Sequence, residues 1–312
     1  MPRSKITMKV IHFDSHADQA RYQTRADHEY ISDTVNQYLA TRPDGITADV
    51  VSCFDSSKFR PEVIDQIHGV KFIVTRGIGL DHVDRRYCEE KGIKFCNIEY
   101  DRSAIAHHTW ALILFAVRHL QESFERVKTG SFTSKGIEPK GLQDMTLGIL
   151  GYGKIGKEVA RIAKAFGVRV LAVDRKHGVG DVDAEGNAEF VTKDQLLEQS
   201  DIVSLHCDLN PATEGLINDQ TISKMKPGCI LVNTSRGKLI DEAALIRHQN
   251  HFSAIMLDVL ADEKKQDNHS DVILLPNVHV TPHMAHKSEA TIRERWEEAY
   301  RIIDDFAAGV NA

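Results

Sequence analysis

Cysteine is scarce in this chain of 312 residues: Cys53, Cys88, Cys96, Cys207 and Cys229 are five in number and form no C-x-x-C pair. An odd, widely spaced set excludes a disulfide framework or a structural zinc site as the organising element, and buried, inert thiols are expected. Clustered positive charge is missing as well. The formal net charge is -6 and no basic run breaks the sequence, so affinity for nucleic acid, which needs clustered cations to displace counterions, is not expected. No stretch approaches the ~18 uninterrupted apolar residues of a membrane span. The opening MPRSKITMKVIHFD also has no apolar secretory core. These absences point to a cytoplasmic protein without membrane or nucleic-acid partners.

What is present is a globular composition, 42% hydrophobic and 27% charged, on a chain long enough for one large domain or two ordinary ones. Residues 9–97 repeat a beat of short apolar run, turn and amphipathic segment. KVIHFD, DVVSCF, KFIVTR and IKFCNI read as buried strands, with helix-like PEVIDQIHG and RRYCEEKG between them. Residues 104–130 differ: they read as one long helix, apolar on nearly all sides in its first half, which suggests burial in a core or against a second copy in a homodimer. From Met145 the alternation resumes with TLGILGYG, VRVLAVD, DIVSLHC, CILVNTS, SAIMLDV and VHVTPH. Six such strands match a doubly wound dinucleotide fold, and alternating strands and helices imply parallel sheets covered on both faces. SEATIRERWEEAYRIIDDFAAG reads as a final amphipathic helix.

The most specific local signal is G-x-G-x-x-G at Gly151, Gly153 and Gly156. Alone it would be weak. Here an apolar run over 147–150 precedes it, a helical pattern over 157–166 follows, and a second apolar run over 168–173 ends at Asp174. Gly151 permits the tight turn, Gly153 lets backbone approach a pyrophosphate, and Gly156 lets the helix pack closely on the strand. Asp174 stands 21 residues after Gly153, where a carboxylate binds ribose hydroxyls and repels a 2′-phosphate. NAD(H) is therefore expected over NADP(H), although a guanidinium at Arg175 could receive that phosphate.

Hydride transfer to a keto acid needs a cation for the carboxylate and carbonyl, an acid for the developing alkoxide, and a group that tunes the acid. Arg236, His283 and Glu263 each fall just beyond a strand's carboxyl end, where open α/β sheets bind ligands. Taken singly they could be a cap, a packed core histidine and a solvated loop acid. Their joint placement favours chemistry. His279, His283 and His286 suggest no metal site, because strand and loop geometry would scatter them and no paired carboxylate completes a ligand set.

The chain resembles the D-isomer-specific 2-hydroxyacid dehydrogenases over nearly its whole length, with features similar to the D-lactate dehydrogenase branch. The resemblance is carried by RGIGLDHVD, YDRSAIAHHT, GYGKIG, SDIVSLHCDLNPATEGLI, MKPGCILVNTSRGKLIDEAAL, MLDVLADE and TPHMA. It implies a Rossmann cofactor domain, residues 104–286, inserted in a flavodoxin-like substrate domain formed by residues 1–103 and 287–312, with a cleft at the two crossings. It implies Arg236 as the substrate-binding cation, His283 as general acid/base and Glu263 as its partner. Lys154 and Ile155 would meet the pyrophosphate. Cys207, Asp208 and Thr213 would line the adenine side, Thr234 and Asp258 would lie towards the nicotinamide, and Ser235 would also bind the cofactor. Ile78 and Gly79 would offer backbone N–H groups to the substrate carboxylate. Arg76 and Tyr100 resemble substrate-side residues of the D-lactate branch, the alternatives being a structural cation and a packed hinge residue. Lys264 after Glu263, Asp208 where a proline is usual and His107 where a glutamate is common depart from the family pattern around the expected cleft. The implied substrate is a small 2-keto or 2-hydroxy acid such as pyruvate, glyoxylate or hydroxypyruvate. An NAD-sensing, corepressor-like regulator is the alternative from another class, and turnover with keto acids separates the two.

Overall fold

The computed structural model describes residues 8–99, 101–263 and 271–309. The chain divides into two compact units, Met1–Asp101 with Ser288–Ala312, and Arg102–Lys287; the sequence reading put the crossings at 103/104 and 286/287.

The first unit carries β1 (Val10–His12), β2 (Glu29–Tyr30), β3 (Ile46–Thr47), β4 (Val50–Cys53), β5 (Ile67–His68), β6 (Phe72–Thr75) and β7 (Lys94–Asn97). Its main sheet is parallel, in the order β2-β1-β4-β6-β7, while β3 and β5 pair separately. With that small pair set aside, the order is the 2-1-3-4-5 of flavodoxin-like folds. Every residue of β4 and β6 is buried because side chains alternate between two covered faces. Val51 and Ile73 pack with Val35, Leu39 and Val63. Val50 and Phe72 turn to the opposite face, against Ala299 and Ile303. The C-terminal helix Glu289–Ala307 buries Trp296, Ala299, Tyr300 and Ile303, the i, i+3, i+4, i+7 stripe of an amphipathic helix.

The second unit carries β8 (Thr146–Leu150), β9 (Arg169–Val173), β10 (Glu189–Phe190), β11 (Ile202–Leu205), β12 (Cys229–Asn233), β13 (Phe252–Leu257) and β14 (Val278–Val280). All pairings are parallel, in the order β10-β9-β8-β11-β12-β13-β14. This is the doubly wound 3-2-1-4-5-6 order with one strand added. The six strands read from sequence are all present. The seventh, β10, is two residues long and gives no legible periodicity.

The expected single helix over 104–130 is two. Helix Ser103–Val117 ends at Arg118, His119 adopts the left-handed conformation (φ 50°), and a second helix runs Leu120–Lys128. The first is apolar because it is enclosed by its own unit. Ala106, Trp110, Ile113 and Val117 pack with Leu147, Ile149, Val232 and Met256, so this burial no longer argues for a second copy. The second helix buries no residue and leaves Phe124 and Val127 exposed, and Phe132 beyond it is 94% exposed. Among the described residues no helix is long and apolar enough to cross a membrane.

Candidate active site

The glycine turn after β8 separates its three glycines by function. At Gly151 (φ 101°) a Cβ would lie 2.4 Å from the Cys207 nitrogen, and at Gly156 it would lie 2.3 Å from the Gly151 carbonyl oxygen. Both approaches exclude a side chain. At Gly153 a Cβ would meet nothing within 4 Å, which is the open space a pyrophosphate needs. Gly153 is also the N-cap of helix Lys154–Ala165 and has no side chain to accept from the first turn; phosphate oxygens can take that place, favoured by the helix dipole. Asp174 stands one residue past β9. Its carboxylate accepts from the Arg175 backbone N–H at 2.8 Å and lies 3.1 Å from His177 Nδ1. The His177 ring in turn stacks on Phe190 with centroids 4.1 Å apart. The loop after β11 is closed by Thr213 Oγ1 donating to the Asp208 carbonyl (2.6 Å) and Ser235 Oγ donating to the Cys207 carbonyl (2.8 Å). Burial pushes the Cys207 thiol up to about 11, so it is a neutral wall. These residues fit a dinucleotide laid across the carboxyl ends of β8, β9 and β11.

Arg236, Glu263 and His283 follow β12, β13 and β14, three adjacent strands, at the same edge of the sheet. Asn233, the last residue of β12, fastens the Arg236 turn: its Nδ2 donates to the Arg236 carbonyl (2.9 Å), and its Oδ1 accepts from Ser235 N (3.0 Å). Gly237 then passes so close to the segment after β13 that a Cβ would lie 2.0 Å from the Leu260 carbonyl carbon. That contact, with Ala261 N donating to Glu242 Oε1 at 2.9 Å, draws the Arg236 turn and the Glu263 segment together. His283 Nδ1 lies 2.8 Å from Glu263 Oε2, and both side chains keep solvent access at 30% and 40% exposure. A carboxylate can only accept, so Nδ1 carries the hydrogen.

His283 has φ 47°, a conformation non-glycine residues adopt rarely and at a cost. Its surroundings impose it. His283 N donates to the carbonyls of Asp258 (3.0 Å) and Thr281 (2.9 Å). Asp258 accepts from Met284 N at 2.9 Å and Ala285 N at 2.8 Å, and Thr281 Oγ1 hydrogen-bonds to the same carboxylate. Asp258, expected beside the nicotinamide, is therefore part of the His283 turn. Its side chain has no exposed surface, and both oxygens are engaged in building the His283 turn. Thr234 is likewise buried, with Oγ1 2.9 Å from Thr109 Oγ1.

Arg76 is enclosed more fully than Thr234. It is 3% exposed, donates to Ser52 Oγ (2.8 Å) and to the carbonyls of Phe13 (2.6 Å) and Asp14 (3.1 Å), and lies 4.2 Å from the Trp296 ring. A guanidinium so enclosed clamps β1, β4 and the C-terminal helix together, which is the structural alternative to a substrate contact. Ile78 and Gly79 follow β6 and are half-buried; the Ile78 carbonyl accepts from Asn97 Nδ2 at 2.7 Å. Tyr100 and Lys264 lie outside the described residues. Among the described residues no group of three or more His, Cys, Asp or Glu could hold a metal ion. Sequence reasoning missed His108, Thr109 and Thr281. Their only signals were the HHT triplet in the 103–117 helix and a threonine two residues before His283.

A family model described as D-isomer specific 2-hydroxyacid dehydrogenase, NAD binding domain, matches residues 110–285. A D-specific alpha-keto acid dehydrogenase of Enterococcus faecium is 35% identical over 252 residues, 76% of each chain. A hydroxypyruvate reductase of Thermotoga maritima is 36% identical over 262 residues, 82% of this chain and 84% of its own. Among solved structures, a D-lactate dehydrogenase of Aquifex aeolicus complexed with NAD and lactic acid superposes with TM-score 0.88 at 30% identity, covering 97% of this chain and 96% of that one. With a glycine cradle shaped for NAD, a His–Glu pair at the neighbouring strand ends and these similarities, the chain belongs to the D-isomer-specific 2-hydroxyacid dehydrogenase family.

Proposed function

We propose that this protein is an NAD-dependent reductase of small 2-keto acids, acting on the pyruvate, glyoxylate or hydroxypyruvate class and working reversibly on the corresponding 2-hydroxy acids. The observation that carries this reading is the 2.8 Å contact of His283 Nδ1 with Glu263, at the sheet edge that also bears the glycine turn. NADH, when bound, supplies the hydride to the carbonyl carbon. His283 holds a proton on Nε2 and delivers it to the carbonyl oxygen, while Glu263 stabilises the imidazolium until that transfer. The Arg236 guanidinium takes the substrate carboxylate and draws charge from the carbonyl. Lys154 and Ile155 offer first-turn N–H groups to the pyrophosphate, and Asp174 takes the ribose hydroxyls. Ile78 and Gly79 are assigned the substrate carboxylate by the family resemblance.

The test is NADH oxidation with pyruvate, glyoxylate, hydroxypyruvate and bulkier 2-keto acids, repeated with NADPH. Turnover with a small keto acid, and an NADH preference of about tenfold or more from the Asp174 carboxylate, is the expected result. NADH binding without turnover on any of them would leave an NAD-responsive regulator instead. The reading includes a cytoplasmic homodimer, supported by the exposed Phe124, Val127 and Phe132. Light scattering should give twice the 35.0 kDa chain mass, with Phe132→Asp shifting it towards the monomer; a monomeric wild type would remove the dimer.

A further inference from the structure

The second unit contains an imidazole that the mechanism above does not use. His108 lies one and a half turns into helix Ser103–Val117, with its side chain 17% exposed. Its Nε2 is 3.0 Å from Thr281 Oγ1 and 3.5 Å from Asp258 Oδ1. The direction of these bonds follows from donor counting. The Asp258 carboxylate can only accept, so the single hydroxyl hydrogen of Thr281 goes to it. The Thr281 oxygen then accepts, and the donor it faces is His108 Nε2–H. The result is a one-way chain from His108 through Thr281 to Asp258. It ends on the carboxylate whose oxygens hold Met284 N and Ala285 N, the residues directly after His283.

The neighbouring residue makes a parallel connection. Thr109 Oγ1 donates to the Ile105 carbonyl at 2.8 Å and lies 2.9 Å from Thr234 Oγ1, beside Arg236 at the end of β12. Consecutive residues of one helix therefore reach the turn that carries the cation and the turn that carries the imidazole. His107, the other member of the pair, is exposed and makes neither contact.

We propose that His108 is a positioning residue: as the outermost donor of the His108–Thr281–Asp258 chain, it sets where the strained His283 turn stands. It touches neither substrate nor cofactor in this role. The Nε2–H is present in the cation and in one neutral tautomer, so the chain persists whether or not His108 is charged. Its removal leaves the Thr281 oxygen without its donor and lets the turn relax, and an ångström of misplacement at a reacting group is enough to slow chemistry about a hundredfold. The inference rests on the reading of His283 as proton donor, and the experiment separates the two.

His108→Leu removes the donor while keeping the bulk; His108→Gln keeps an N–H donor at similar reach. With wild-type turnover on a 2-keto acid as reference, His108→Leu should lower kcat about ten- to hundredfold with NADH affinity within about twofold, and His108→Gln should recover most of the loss. In the protein without ligands, the His283 Cε1–H resonance should move in His108→Leu and return in His108→Gln. If His108→Leu does not fold, Thr281→Val breaks the same chain at its middle and is read in the same way. An unchanged kcat and resonance in the leucine variant, a glutamine variant as impaired as the leucine one, or a parallel loss of NADH affinity would overturn the proposal. A wild type inactive on every keto acid would instead fail the functional reading, with the resonance still reporting on the turn.

Discussion

The two units treat histidine in opposite ways although both are parallel sheets wound by helices. In the first, His12 and His82 are fully buried, and their Nε2 atoms meet His28 and the Cys53 sulfur. His12 Nε2 lies 2.9 Å from His28 Nδ1, its ring stacks on Tyr30, and Arg76 adds positive charge nearby. Burial first, then Arg76 and His28, lowers His12 well below its ordinary value, and burial lowers His82 to about 4. In the second unit, four histidines stand against carboxylates: His283 on Glu263, His108 near Asp258, His177 on Asp174 and His248 on Asp219. His206, which burial lowers to about 4 beside Ser204 Oγ, and His279, which burial also lowers, are exceptions. The same side chain is thus a packing element in one unit and a hydrogen-bonded partner of carboxylates in the other. What decides is the partner the fold supplies, not the histidine.

Acid should break the comparison most strongly. An imidazole kept neutral in the fold takes up its proton only when the chain unfolds, so the unfolded state binds more protons below about pH 6.5. Stability from such groups is complete above that pH and is lost as pH falls. His82 in the first unit and His206 in the second, both lowered to about 4, give it up alike, so the difference between the units rests on His12, which burial lowers well below its ordinary value. The chain's two tryptophans divide the observation, Trp296 reporting the first unit and Trp110 the second. Urea unfolding of Trp110→Phe and Trp296→Phe variants at pH 7 and pH 5 should show a larger acid loss from Trp296. Equal losses in both would remove the contrast.

A smaller effect should show where the units are alike. Thr34 in the first and Thr192 in the second each form a capping box, with Gln37 and Gln195 returning the bond to the cap backbone. Thr34→Ala and Thr192→Ala should each cost about 1 kcal/mol, seen by Trp296 and Trp110 respectively. A cap loss felt equally by both tryptophans would mean that the units do not unfold separately.

Periodicity and glycine chemistry made most of the fold legible. The strands of four or more residues announce themselves by apolar runs, and Gly151, Gly153 and Gly156 each have the environment their positions imply. The break at His119 was illegible because no proline or glycine marks it; it follows from one helix being enclosed and the next exposed. Arg236, Glu263 and His283 could be singled out because each follows the carboxyl end of a strand. The buried work of Arg76 could not, since RGIGLD carries the same letters whether the guanidinium points outward or into the core. His108 and Thr281 are 173 residues apart, and only the sheet order brings them together.

The central claim is that His283, oriented by Glu263, gives up the proton in keto-acid reduction. Turnover of His283→Ala, measured beside its NADH dissociation constant, addresses it most directly. The account predicts a loss of about a thousandfold in kcat with NADH binding essentially unchanged. A variant that turns over within a few-fold of the wild type would contradict it.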